Sequence, residues 1–231
     1  DIHGHEEELE AGRVLRFSKH AKWLPHHKFQ HFYSVLLYGL LTINWAIFSD
    51  FQQMKRYTAR KLSYLNSKRP SLQWTGLVIS KVVYFFIWLV IPMIFLNAPW
   101  WAILIGFVVM HYTAGLILSL VFQLAHVMED AEMPKPDETG TMKNTWAIHQ
   151  LLTTVNFSTK NRFVNWFTGG LNHQIEHHIF PHISHIHYTH IGAIVKITAK
   201  EFNLPYNEYK TTRSALLSHF KFLKQMGVQP S

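Results

Sequence analysis

The longest apolar pattern in the chain runs from Val82 to Ala125, 44 residues without a single Lys, Arg, Asp or Glu. A helix needs about 20 apolar residues to cross the hydrocarbon core of a membrane, so this run predicts two helices and a turn. Because Pro and Asn end and restart helices, the turn is placed at Asn97–Pro99. Trp100 follows at once, as is typical of a membrane interface. We predict a transmembrane hairpin over residues 76–125.

A second apolar stretch, Phe32 to Phe48, is about one membrane span long but includes several polar side chains. Six basic residues and no acidic one lie between Lys55 and Arg69, and residues 1–31 hold five more basic residues. Loops on the cytosolic side carry an excess of Lys and Arg, so equal positive charge at both ends argues against a crossing. We therefore predict an interfacial or re-entrant helix over residues 32–49, preceded by a cytosolic segment, residues 1–31.

The same charge asymmetry orients the predicted hairpin. Its turn carries no charge whereas the loop before it is strongly basic, so both outer ends are expected to face the cytosol. Residues 126–231 are mixed in polarity and predict a cytosolic metal-binding cap and tail, with helices expected at Asn144–Val155, Ile186–Phe202 and Ser214–Met226. The predicted fold class is all-α: an integral membrane helical bundle with a cytosolic, histidine-rich helical cap.

Composition narrows the chemistry that this fold can carry. The 231 residues include no cysteine, which excludes disulfides, thiolate metal sites, Fe–S clusters and cysteine nucleophiles from this chain. The net charge of +8 indicates an anionic partner, such as a membrane surface or an acidic protein. The sequence lacks an arginine-rich arm and zinc-finger spacing, so no nucleic-acid partner is expected.

Histidine is concentrated near the C-terminal third, where seven of the 17 histidines lie in residues 173–190. Imidazole is a common ligand of iron and zinc. Residues three and four apart share one face of a helix, so Gln174, His177 and His178 can converge on one metal. Pro181 is expected to end that helix, so the later histidines should belong to another element.

His126 is a fourth candidate ligand. It comes where the second predicted membrane helix ends, on the side predicted for the histidine cluster. We therefore expect the predicted membrane topology, and not a local sequence motif, to bring His126 close to Gln174, His177 and His178.

A different motif overlaps the same cluster. His173, Glu176 and His177 fit H-x-x-E-H, the pattern of two zinc-binding histidines with a catalytic Glu. A zinc metallohydrolase is therefore the alternative function. That pattern also needs a distant carboxylate ligand, and only Glu201 and Glu208 follow. A non-enzymatic alternative is a membrane protein whose histidines sense pH or buffer metal.

A resemblance to a known family covers most of the chain. Residues Gly169–Pro181, GGLNHQIEHHIFP, resemble the third histidine box of membrane fatty-acid desaturases. The closer likeness is to the front-end type, in which Gln replaces the first His of H-x-x-H-H. Phe122–Glu129 resembles the end of the last membrane helix in that family, and further similar segments are Lys28–Tyr33, Thr153–Phe157 and Glu201–Asn207.

The resemblance implies a specific activity and site. It implies a non-heme diiron enzyme with O2 as co-substrate that introduces a cis double bond into the acyl chain of an acyl-CoA or acyl-lipid. The implied electron donor is cytochrome b5 or a ferredoxin, and the implied iron-binding residues are His126, Gln174, His177 and His178. Related hydroxylases use similar boxes, so hydroxylation stays open.

The first and second boxes of the family are not found in this sequence. His26 and His27 form a pair, but no histidine stands three residues before it, as the second box requires. The resemblance therefore implies that residues 1–231 are the C-terminal part of one desaturase domain, and that this chain alone does not assemble the complete iron site.

Overall fold

The computed structural model describes residue 2, residues 13–61 and residues 69–229. These residues are mainly helical, and strand among them is confined to one pair of two-residue segments, which confirms the all-α class. The chain divides into two compact units: a hairpin unit, Leu36–Ser119, and a histidine unit, Asp1–Val35 with Leu120–Ser231. Each unit is described on its own.

The first half of the described chain is almost continuously helical. Its elements, in order, are a 3-10 turn Pro25–Phe29, α1 Gln30–Gly39, α2 Leu41–Asn44, a π-helical stretch Trp45–Ser49, α3 Asp50–Arg60, α4 Pro70–Phe85, a second π-helical stretch Phe86–Val90, α5 Ile91–Phe95 and α6 Trp100–His126.

Two of these helical runs, Pro70–Phe95 and Trp100–His126, are long and apolar enough to cross a membrane. This confirms the two predicted helices, and residues 96–99 form the predicted turn between them. The first run starts at Pro70, earlier than the predicted residue 76, because proline is well suited to the first turn of a helix. Lys81 lies within this first run.

Lys81 is held by an ion pair that the sequence pattern did not reveal. An unpaired cation inside a membrane helix is costly. The Nζ of Lys81 lies 2.5 Å from Asp50 Oδ2 and 3.2 Å from the carbonyl oxygen of Trp45. The ion pair links α3 to α4 and compensates the positive charge of Lys81.

A buried histidine joins three helices of the hairpin unit. Thr42 Oγ1 donates its only hydrogen to the carbonyl oxygen of His111 at 2.7 Å. In the contact between Thr42 Oγ1 and His111 Nδ1, 2.9 Å long, the hydroxyl oxygen must therefore be the acceptor and the Nδ1–H group the donor. The Nε2 of His111 then accepts from the hydroxyl of Tyr84 at 2.6 Å. This side chain is therefore fully hydrogen-bonded as a neutral imidazole, as a buried polar group requires.

The end of α1 and the middle of α6 meet at backbone distance. A Cβ added to Gly115 would lie 2.6 Å from the carbonyl oxygen of Gly39, and a Cβ on Gly39 would lie 2.2 Å from the ring of Tyr112. One turn along α6, Ser119 Oγ donates to the carbonyl oxygen of Tyr38 at 3.1 Å. Small residues at these positions allow the helices to approach closely.

The segment before α4 offers a third candidate span. The pair Pro25–Gly39 and Leu41–Arg60 passes the same test of length and composition only when taken together, and it bends by 56° at its break. Such a pair is a broken span or a re-entrant loop. The interfacial or re-entrant helix expected over residues 32–49 therefore stays a prediction.

The histidine unit continues with shorter elements. They are α7 Trp146–Thr153, β1 Asn156–Phe157, α8 Arg162–Phe167, α9 Gln174–Ile179, a 3-10 turn His185–His187, α10 Tyr188–Glu201, β2 Glu208–Tyr209 and α11 Thr212–Met226. The three helices predicted for this region correspond to α7, α10 and α11.

Two apolar clusters organise the histidine unit around the end of α6. The first joins α6 to β1 and α11 through Leu124, Met128, Val155, Phe157 and Ala215. The second joins α7, α9 and α10 through Leu151, Ile175 and Ala199. Strands β1 and β2 pair in parallel, with Asn156 opposite Glu208. Helix α9 is therefore held on one side by β1 and on another by α7 and α10.

The glycine contact between α1 and α6 leads to a prediction about stability. Gly115→Ala should lower the free energy of unfolding by about 1–3 kcal/mol, because the new Cβ would meet a backbone oxygen that cannot rotate away. Gly106→Ala on the same helix should cause no such loss, since nothing lies within 4 Å of its Cβ position. Thermal unfolding of the full-length protein in detergent, followed by gel filtration, measures both; equal losses would contradict the contact.

Candidate metal centre

Three of the predicted ligands meet around one side-chain amide. Helix α9 carries Gln174 and His178 one turn apart, so both side chains lie on the same face. The Nε2 of Gln174 lies 2.9 Å from His126 Nε2 and 3.0 Å from His178 Nε2. The rings of His126 and His178 are 4.9 Å apart, centre to centre. The last residue of α6 thus lies beside the face of α9 that carries Gln174 and His178.

The hydrogen bonds define the protonation of these imidazoles. An amide nitrogen is a donor, so each Nε2 atom that faces Gln174 accepts a hydrogen bond through its lone pair and carries no hydrogen. On the other side of the ring, His178 Nδ1 lies 2.9 Å from the carbonyl oxygen Oε1 of Gln150, which accepts a hydrogen bond from the Nδ1–H group. His178 is therefore held as the Nδ1–H tautomer, in which Nε2 can bind a metal. Gln150, on α7, was not identified from the sequence.

Desolvation affects the protonation of His177 and His178. Desolvation, reinforced by nearby His126 and His177, lowers the pKa of His178 to about 3. Desolvation, with a smaller contribution from His126, also lowers the pKa of His177. A metal binds the neutral imidazole, and near neutral pH both histidines are in that neutral form.

His177 lies at the edge of the same cluster. Its ring centre is 5.7 Å from that of His178, and its Nδ1 lies 3.3 Å from the hydroxyl of Tyr188 on α10. Tyr188 is buried. The contact therefore orients the His177 ring from the Nδ1 side.

The donor set suits iron. Within residue 2, residues 13–61 and residues 69–229, no three His, Asp or Glu side chains lie close enough to form a metal site by themselves. At Gln174, however, two imidazole lone pairs point at the same amide, in a place without thiolates, and neutral nitrogen donors are suitable ligands for iron. Gln174 thus lies between the imidazoles of His126 and His178, nitrogen donors of a type that can hold iron.

The opposite face of α9 is anchored by a buried carboxylate. Glu176 is completely buried, and its two oxygens accept hydrogen bonds from Asn156 Nδ2 at 2.8 Å and from the hydroxyl of Tyr206 at 2.9 Å. Asn156 also accepts a hydrogen bond from the backbone N–H of Ile175 at 2.9 Å. Burial and the charge of Glu176 raise the pKa of Tyr206, so its hydroxyl stays a donor. These bonds attach α9 to β1.

This anchor excludes the zinc metallohydrolase arrangement. A catalytic Glu must reach a metal-bound water, whereas both oxygens of Glu176 are occupied inside the core. His173 is 2 % exposed, its Nδ1 is 3.6 Å from Glu176 Oε2, and neither ring nitrogen has a hydrogen-bond partner. The H-x-x-E-H spacing therefore gains no support from the structure, because His173 and Glu176 are both buried in the core.

The histidines after Pro181 lie apart from this cluster. Helix α9 ends at Ile179, shortly before the proline, as predicted. The histidines that follow are exposed: His182, His185, His187 and His190.

Comparison with known proteins decides the family. The sequence profile described as fatty acid desaturase matches residues 2–210, most of the chain. The chain belongs to the fatty acid desaturase family. With two helices long and apolar enough to cross a membrane, this desaturase chain is an integral membrane protein. No solved structure matches significantly.

Curated relatives agree with this assignment. The chain is 35 % identical to the sn-1 linoleoyl-lipid 6-desaturase of Arthrospira platensis over 100 % of its own length and 61 % of the relative. Its identity to the protein of that name in Synechocystis is 34 %, over 98 % and 63 % of the two lengths. Its identity to the acyl-lipid (8-3)-desaturase of Physcomitrium patens is 36 %, over 88 % and 42 %. The chain thus spans about three-fifths of the first two relatives.

A second buried histidine supports the backbone beside His126. His219 on α11 is fully buried, and its Nδ1 donates to the carbonyl oxygen of Val127 at 2.8 Å. Burial lowers the pKa of His219 to about 4. In this desaturase chain the bond ties the end of α6 to α11, a role that no local motif indicates.

The carboxylate anchor predicts a loss of stability on a small change. Glu176→Gln should lower the free energy of unfolding by about 1–3 kcal/mol, because an amide cannot accept from both Asn156 and Tyr206 at its two ends. Glu138→Gln is the matched control, since Glu138 is exposed, and should have almost no effect. Unfolding of the full-length desaturase in detergent measures both variants. A Glu176→Gln protein as stable as its control would show that the buried bonds contribute nothing.

His219 predicts a pH dependence of stability. Its folded pKa is about 4, against an ordinary value of 6.5. Between these values the unfolded chain binds a proton that the folded one does not, so stability falls as pH falls from about 6.5 to about 4, by up to ~1.4 kcal/mol per pH unit. His219→Gln retains a donor but does not titrate. Unfolding midpoints across this range should fall less steeply for the variant, and parallel slopes would contradict the assignment.

Proposed function

We propose that this chain is part of a membrane non-heme diiron fatty-acyl desaturase of the front-end type, which introduces a cis double bond into the acyl chain of a lipid with O2 as co-substrate. The observation that carries the proposal is the convergence of His126 Nε2 and His178 Nε2 on Gln174. The family membership and the printed names of the relatives, desaturases of acyl lipids, support it. They favour an acyl-lipid substrate over an acyl-CoA.

The metal-binding residues of this chain are His126, His177 and His178, with Gln174 as a weaker, neutral donor or as a hydrogen-bond partner of a ligand. Two irons are the cofactor. When bound, they supply the reductive activation of O2 that removal of hydrogen from an unactivated CH2 requires. Gln150 and Tyr188 hold the Nδ1 sides of His178 and His177, which leaves their Nε2 atoms for metal.

The overall reaction balances with an external donor. One –CH2–CH2– unit, one O2, two electrons and two protons yield one –CH=CH– unit and two waters. The electron donor is cytochrome b5 or a ferredoxin, whose acidic surface complements a chain with a net charge of +8.

We also propose that the segment Pro25–Arg60 is re-entrant and that the metal site faces the cytosol. Tyr38 contacts Ser119, and Thr42 contacts His111 two turns deeper along α6. Beyond Thr42 the chain turns back, since Asp50 binds Lys81, which precedes the Tyr84 level of α4. The Arg60 end of the segment then lies on the side where α4 begins, and by the positive-inside rule that side is cytosolic.

Expression of the full-length gene in a host that lacks polyunsaturated acyl lipids tests the activity. Lipids carrying linoleoyl chains are supplied, and mass spectrometry locates any new double bond. We expect one between the carboxyl group and the existing double bonds. A hydroxylated chain without a new double bond would replace desaturation by hydroxylation. Absence of both products in a protein shown to contain iron would refute the proposal.

Histidine variants test the metal centre in the same host. His126→Ala and His178→Ala should each lose most of the bound iron and reduce the product at least ~100-fold, because each removes an imidazole from the point of convergence. His182→Ala is the matched control, exposed and beyond Pro181, and should retain iron and activity. Iron per protein, measured by elemental analysis, separates metal loss from misfolding judged by gel filtration. Iron retained by His178→Ala would remove His178 from the ligand set.

A further inference from the structure

Helix α8 carries an aromatic face that the described residues of the histidine unit leave exposed. Phe163, Trp166 and Phe167 lie three and four residues apart, on one side of the helix. They are 66 %, 76 % and 51 % exposed. Their rings cluster, with Phe163 5.9 Å from Trp166 and 6.0 Å from Phe167, centre to centre. A contiguous aromatic surface of this kind marks an interaction site.

The opposite side of α8 fixes the helix beside the end of a membrane helix. Val164 packs against the core cluster that contains Leu124, two residues before α6 ends. Asn165 Nδ2 donates to Thr189 Oγ1 on α10 at 3.3 Å, and Asn161 accepts from the N–H groups of the first turn of α8. Helix α8 is thus attached beside the C-terminal end of α6, with its aromatic face turned away from that contact.

Two exposed cations stand next to the aromatic face: Lys160 precedes α8 and Arg162 is its first residue. Residues 139–200 hold five Lys and Arg and a single acid, Glu176, which is completely buried. One acid from outside this range, Glu208, pairs with Lys196 at 2.6 Å and accepts a hydrogen bond from Thr159. The exposed surface of this region therefore complements an anionic surface.

We propose that α8 is a membrane anchor: Phe163, Trp166 and Phe167 insert into the headgroup and acyl boundary of the bilayer, while Lys160 and Arg162 bind anionic lipid headgroups. Aromatic side chains next to cations are the usual composition of helices that lie in this boundary. The anchor holds the histidine unit against the lipid, at the end of α6, and so keeps Gln174 and its neighbours close to acyl chains. A soluble protein partner would satisfy the charge but not the attachment of α8 beside a membrane helix.

A site-specific fluorescent label tests the insertion. The 231 residues contain no cysteine, so Trp166→Cys in the full-length protein, with cysteines elsewhere replaced, takes a single environment-sensitive dye. The protein is reconstituted in vesicles of equal parts phosphatidylcholine and phosphatidylglycerol. We expect blue-shifted emission, and several-fold stronger quenching by a nitroxide near the top of the acyl chain than for the same dye at Glu138→Cys. Phe163→Cys provides a second position on the same face if Trp166→Cys does not fold.

Two further arms complete the test. Reversal of both cations, Lys160→Glu with Arg162→Glu, should reduce the lipid quenching at position 166 in the anionic vesicles and much less in pure phosphatidylcholine. Strong quenching of the dye by iodide in water would overturn the proposal, because the face would then be solvated. Quenching by neither agent would overturn it too, since another protein surface would then cover α8.

Discussion

The candidate metal centre depends on a carboxylate that takes no part in it. Glu176 is buried without a full countercharge, and such a group is tolerated only when its oxygens are hydrogen-bonded. Asn156 and Tyr206 supply those bonds and, through Ile175, attach α9 to β1. Because α9 is only six residues long, it has little helical stability of its own. Its orientation, and with it the direction of Gln174 and His178, follows from this anchor.

The same rule organises the hairpin unit. Polar groups among apolar helices must find partners inside the protein, since lipid offers none. Lys81 pairs with Asp50, and His111 is fully bonded to Thr42 and Tyr84. The Lys81–Asp50 and His111–Thr42 contacts join the segment before α4 to the two long helices, and the Tyr84–His111 contact joins those helices to each other. The polar residues of that segment make it unsuited to cross a membrane as a single straight helix. The same residues attach the segment to the two long helices.

Much of the site could be predicted because its determinants are local or topological. The spacing of Gln174, His177 and His178 predicts a shared helical face, and the hydrophobic run predicts where His126 emerges. Gln150, Tyr188 and His219 could not be found in this way, since they contact the site from helices distant in sequence and carry no motif. The H-x-x-E-H reading failed because spacing does not tell which side of a short helix faces the core.

The sequence by itself determined the helical class, the two membrane helices and the set of candidate ligands, because hydrophobic length, turn residues and helical periodicity are local properties. Only the tertiary structure decided the roles within that set. It buried His173 and Glu176 together, and it made Glu176 an anchor of α9. Burial and hydrogen-bond partners decide those roles, and both come from β1, α7 and α10, which the chain reaches only after folding.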